Sequence, residues 1–168
     1  MKGENLPPST ISTTGQRGDD RLVAYGTLLV SVDFSEHSKK TIEYAMQLAA
    51  FTGAAIKIMH VCQLPELPAD FYEGNYVERE LVTGVLEIAK REAIKRLSVV
   101  TGQIEAKGLN TETVLRVGKP YEEIVGAAKE LDADLIVIGS HGYSGAYCLA
   151  SNAERVVRYP PCAVLVVK

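Results

Sequence analysis

Apolar residues fall into two patterns along this chain, short unbroken runs and longer stretches with helical spacing, and the two alternate. Thr27 to Val32 reads Thr-Leu-Leu-Val-Ser-Val, a β-rich run that predicts a strand. Asp33-Phe-Ser-Glu follows as a helix start, and Ile42, Ala45, Met46 and Ala49 keep helical spacing until Gly53 closes that helix. Ala55 to Val61 predicts a second strand. Between Gln63 and Tyr76 the periodicity stops: Pro65, Pro68, Gly74 and the aromatics Phe71, Tyr72 and Tyr76 read as a long loop, a kind of segment that is more often functional than incidental. A long amphipathic helix follows, its buried stripe marked by Val77, Leu81, Val85, Ile88, Leu97, Val100 and Ile104 and its end by Gly108.

The same alternation continues to the last residue. Thr111 to Val117 predicts the third strand. Gly118-Lys-Pro120 opens a short helix with Tyr121, Ile124, Val125, Ala128 and Leu131 inward. Leu135–Ile138 is the fourth strand, 152–159 the last helix, stopped by Pro160-Pro161, and Ala163 to Val167 the fifth strand. Strand runs apolar on both faces and joined by helices mean a parallel sheet covered on both sides. With right-handed crossovers this is a five-stranded, doubly wound α/β domain. Residues 1–21 stand apart. They are rich in Ser, Thr, Pro and Gly and offer only Leu6 and Ile11 for burial through residue 20, so they read as a flexible N-terminal extension to a domain spanning 22–168.

Composition narrows the function classes. The chain has 168 residues, 46% of them apolar, enough for one domain to bury a core without metals or disulfides. A net charge of −3 with no Lys/Arg block gives no footprint for nucleic acid or an anionic membrane surface. No apolar stretch approaches the roughly 20 residues of a membrane span, and no signal peptide is visible. Cys62, Cys148 and Cys162 are an odd number at no recognisable spacing, which points to a reducing cytoplasm. His37, His60 and His141 lie far apart; His60 beside Cys62 is the nearest thing to a metal pair, and the sequence does not ask for a metal.

Chemistry concentrates in 132–154. The apolar run Leu135 to Ile138 ends in Gly139, with Gly142 and Gly145 following at spacing three, and then Ser151-Asn-Ala-Glu154 reads as a capping box. Strand, Gly-rich loop and helix start, in that order, are the parts of a phosphate site. Glycine lets the backbone approach an anion, and the helix N-terminus supplies N–H groups and partial positive charge.

From about Tyr25 to Lys168 the chain resembles the universal stress protein family. The likeness is carried by Val30-Ser-Val-Asp-Phe-Ser-Glu36, His60-Val61, Val117-Gly-Lys-Pro120, Asp132-Ala-Asp-Leu-Ile-Val-Ile-Gly-Ser-His-Gly142, Ala153-Glu-Arg-Val-Val157 and Pro161-Cys-Ala-Val-Leu-Val-Val167, in this order and spacing. The resemblance implies a sheet of order 3-2-1-4-5, an adenine nucleotide α-hydrolase-like fold, and commonly a dimer. Some members bind ATP, which Mg2+ can accompany, beyond the strand C-termini; others bind no nucleotide and act through protein contacts. The binders carry Gly-x-x-Gly, nine residues, then Gly-Ser or Gly-Thr. Gly139 and Gly142 match the first half, but the second half falls at Ala150-Ser151 after only seven residues, 143–149.

The nucleotide-binding candidates are therefore Ser31, Val32, Asp33, Val61, Gly139, His141, Gly142, Ser151 and Asn152. Asp33 either accepts hydrogen bonds from an adenine or ribose or shapes the strand-to-helix turn with Ser35 as N-cap. Val61 lines an adenine pocket or is sheet core. Gly139 and Gly142 bring backbone N–H groups to ribose and phosphate or only allow the turn. Ser151 and Asn152 meet a phosphate or simply begin a helix. His141 has no visible partner for acid–base work, and the Walker pattern Gly-x-x-x-x-Gly-Lys-[Ser/Thr] is absent, so the expected activity is binding without catalysis, with slow ATP hydrolysis or autophosphorylation as the enzymatic alternative. The apolar last strand, Ala163 to Val167, should form a sheet edge that a second copy covers, giving a homodimer.

Overall fold

The computed structural model describes residues 25–63, 76–140 and 151–168, with backbone alone for residues 76–79 and 151. Its strands are β1 (Thr27–Ser31), β2 (Ala55–Cys62), β3 (Thr111–Val117), β4 (Leu135–Gly139) and β5 (Ala163–Val167). They alternate with helices α1 (Glu36–Thr52), α2 (Tyr76–Glu105), α3 (Pro120–Glu130) and α4 (Ser151–Arg158). The sheet order is β3-β2-β1-β4-β5, with every neighbouring pair parallel. β1 therefore has β2 on one side and β4 on the other, and the chain winds outward from it in both directions. A crevice opens at the C-terminal ends of such a central pair.

Alternate residues of each strand feed two separate cores. Leu28, Val30, Ile56, Ile58 and Val137 pack with Ala45 and Ala49 of α1 and with Leu97 and Ile104 of α2. On the other face Leu29, Met59, Ile136 and Ile138 pack with Ile124, Ala127 and Ala128 of α3 and with Ala153 and Val156 of α4. Burial on both faces is why the strands read as unbroken apolar runs. The Asp134 carboxylate accepts from the backbone N–H groups of Gly26 (2.8 Å) and Thr27 (2.9 Å), and so fixes the start of β1 beside β4.

The stripe expected on α2 is corrected. Leu97 and Ile104 are fully buried and Val100 half-buried, but Leu81, Val85 and Ile88 are 64%, 61% and 68% exposed. From Ile88 to Leu97 is nine residues, about two and a half turns, so the two groups lie on opposite faces. The inward face is instead Val82, Leu86, Ala93, Leu97, Val100 and Ile104. The helix carries two apolar stripes, and none of the described residues covers the one on its first half. The extension at 1–21, most of the loop at 63–76, and the glycine loop at 141–150 lie outside the described residues.

Candidate functional site

β1 delivers the chain into a tight turn where Asp33 organises the start of α1. Its Oδ1 accepts from the Ser35 N–H (3.0 Å), the Ser35 hydroxyl (2.6 Å) and the Ser38 hydroxyl (2.6 Å), while Ser38 Oγ accepts from the Asp33 N–H at 3.1 Å. Ser35 occupies the N-cap position, yet its hydroxyl is turned back to Asp33 and makes no capping bond. Among the described residues all three donors meet Oδ1, which leaves Oδ2 for another. Burial raises the Asp33 carboxyl, but the hydrogen bonds from Ser35 and Ser38 outweigh it and hold the group below the usual carboxylate range.

The residue after Asp33 faces the other way. Phe34 has φ of 61°, a left-handed conformation costly for a bulky side chain. Its ring stacks 4.4 Å from the His60 ring and lies 5.6 Å beneath the Arg96 guanidinium from α2. His60 Nδ1 is 2.8 Å from the Val32 carbonyl oxygen, so this nitrogen carries the proton and donates. Burial pushes His60 below the usual imidazole range, and that bond together with the Asp33 charge recovers part of the shift.

Six of the nine candidates, Ser31, Val32, Asp33, Val61, Gly139 and Asn152, line one cleft of about 620 Å³, counting space open to solvent. His141 and Gly142 lie outside the described residues, as does the side chain of Ser151. Sequence reasoning missed Ser38, Gln63, Pro120, Ile124, Ile138 and Ala153, and weighed His60 only as a metal partner of Cys62. A signal for Ser38 existed, since it stands three residues after the expected cap and therefore on the first turn of α1. The apolar wall comes from Val32, Val61, Ile124 and Ile138. Among the described lining residues none is Lys or Arg, but Ser38, Pro120 and Asn152 bring the first turns of α1, α3 and α4 to the cleft. Three helix N-termini supply partial positive charge there without a cationic side chain.

Backbone bonds fix the rim. The Ser140 N–H donates to the Val167 carbonyl (2.7 Å) and the Gly118 N–H to the Cys62 carbonyl (3.1 Å). Gly118 has φ of 152°, a conformation that residues with a side chain rarely adopt, which favours glycine before α3. Among the described residues no three of His, Cys, Asp or Glu gather as a metal site would need. None of the described helices is long and apolar enough to cross a membrane.

A family model for the universal stress protein family matches residues 24–168. Universal stress protein YxiE of Bacillus subtilis is 31% identical over 147 residues, which are 86% of this chain and 99% of the relative. Among solved structures, hypothetical protein MJ0577 superimposes with a TM-score of 0.75 at 25% identity, covering 87% of this chain and 97% of its own. A universal stress protein in complex with cAMP superimposes with a TM-score of 0.61 at 26% identity, covering 86% and 97%. The sheet order agrees with the one the family resemblance implied, and the match spans the whole described domain: the chain belongs to the universal stress protein family.

Proposed function

We propose that this protein is a non-catalytic, cytoplasmic stress-response module that binds an adenine nucleotide, ATP in the first instance, at the crevice between β1 and β4. One observation carries the reading: Asp33 is held ionised at the end of β1 with Oδ2 left over, in a cleft with an apolar wall. An adenine fits the wall of Val61, Ile124 and Ile138, and its amino group or a ribose hydroxyl fits a fixed carboxylate acceptor. The phosphates then fall toward Gly139 and the start of α4, where backbone N–H groups and helix dipoles receive them. The cAMP complex of a relative supports the base and sugar part of this assignment. Mg2+ would travel with the triphosphate, since the described residues gather no metal site of their own.

A second reading is a member that binds no nucleotide and works through protein contacts. It is favoured by the loop of seven residues at 143–149, by Ala150 and by the lack of Lys or Arg among the described residues lining the cleft. Isothermal titration with ATP and Mg2+, with cAMP, AMP and GTP in parallel, separates the two. The expected outcome is micromolar ATP binding that Asp33→Ala weakens at least tenfold. Absence of heat up to millimolar ATP from folded protein overturns the nucleotide reading in favour of the second.

A further inference from the structure

We infer that the uncovered stripe on the first half of α2 is a contact surface for a second copy of this chain, packed antiparallel with Val85 at the crossing point. Leu81, Val85 and Ile88 stand at spacings of four and three and are 64%, 61% and 68% exposed, so they form one apolar seam over two turns. Gly84 lies at the edge of this seam with nothing within 4 Å of the place a Cβ would occupy, and so lets another backbone approach.

Charge identifies the occupant. Residues 78–87 carry three carboxylates (Glu78, Glu80, Glu87) to one arginine, and residues 88–97 carry four cations (Lys90, Arg91, Lys95, Arg96) to one carboxylate. Lys90 and Arg96 already pair with Glu87 and Glu92 on the same helix, and the remaining charges still run from acidic (Glu78, Glu80) to basic (Arg91, Lys95) along it. A second copy laid antiparallel meets each acidic half with a basic one, whereas a parallel copy stacks like on like. With Val85 on the two-fold axis, Val85 meets its own copy, while Leu81 with Ile88, and Glu80 with Arg91 on one flank, come within one residue rise, about 1.5 Å, of level, each pair twice. Three side chains make a short seam. The pairing therefore belongs with weak, concentration-dependent contacts and not with the roughly 800 Å² per partner of a standard interface. It uses α2 alone, and depends neither on the nucleotide nor on the sheet edge.

The test places one cysteine at the crossing point, Val85→Cys, and treats the full chain at tens of micromolar with a short bis-maleimide. The unsubstituted chain gives the background from its own cysteines. Ile94→Cys, also exposed but on another face of α2, gives the rate of chance collision. The expected result is rapid covalent dimer from Val85→Cys, several-fold slower dimer when Glu80→Arg or Arg91→Glu is added, and recovery when both are added. All these positions are exposed, and circular dichroism checks that each variant is folded. Cross-linking no faster than at Ile94→Cys overturns the proposal and assigns the stripe to another segment or partner. Loss in the single charge variants without recovery in the double overturns it equally.

Discussion

His60 shows how one side chain can serve the turn and register acid at once. Its Nδ1–H bonds the last carbonyl before Asp33, and its ring backs Phe34, so the neutral ring carries its proton on Nδ1, while burial disfavours the charged form. Burial depresses the folded value below the ordinary 6.5, so the unfolded chain takes up the proton first as pH falls. The stability this group contributes is therefore complete above about 6.5 and is lost as pH drops through the depressed folded value. Asp33 has the same sign in a lower window, below its ordinary 3.8. His60→Asn keeps a donor near the Nδ1 position and removes the titration. Urea midpoints at pH 7.5 and 5.5 should therefore fall in the parent chain and stay nearly level in the variant. Equal falls in both would place the acid sensitivity elsewhere.

At the scale of elements, the two stripes of α2 should separate cleanly in stability. Leu97→Ala empties a fully buried site and should cost about 2–5 kcal/mol, while Leu81→Ala, 64% exposed, should cost less than about 0.5 kcal/mol at low protein concentration. Urea unfolding of the two variants checks both values, and similar losses would return Leu81 to the core. The central strands β1, β2 and β4 were legible because both of their faces are largely buried, so no phase had to be chosen; β3 and β5, only partly buried at the sheet edges, were legible from their β-rich runs between helix signals. Helix α2 was not, because apolar residues on two faces can be threaded into one list and only the break between Ile88 and Leu97 betrays it. Asp33 was legible from its place after a strand. The part played by Ser38 was not, since a serine in a first turn reads as ordinary helix until the partner of its hydroxyl is seen. The role of His60 was not legible, because the sequence asked for no metal beside Cys62 and nothing in it points to the actual partner, a backbone carbonyl 28 residues back.

On the scale of the molecule, the sheet ends in β3 on one side and β5 on the other, and β5 offers the more apolar edge. Val164, Leu165 and Val166 are only half-buried there, and an unpaired apolar edge invites a symmetric partner. The expected species is a homodimer through β5, which Val164→Lys should convert to monomer in chromatography with light scattering at protein concentrations too low for the weak α2 contact. An unchanged mass from a folded variant would remove β5 from the interface. The cleft has its own long-range character. Its lining comes from β1, β2, β4, α1, α3 and α4, with Asp33 and Ala153 separated by 120 positions in the chain. No fragment that lacks either end can contain half a site in working order, so occupancy would report completed folding. A nucleotide that binds there would act on the chain as a folding ligand, raising its melting temperature with concentration. Limited proteolysis would then find the loaded protein resistant as a whole, with no shielded remnant surviving on its own.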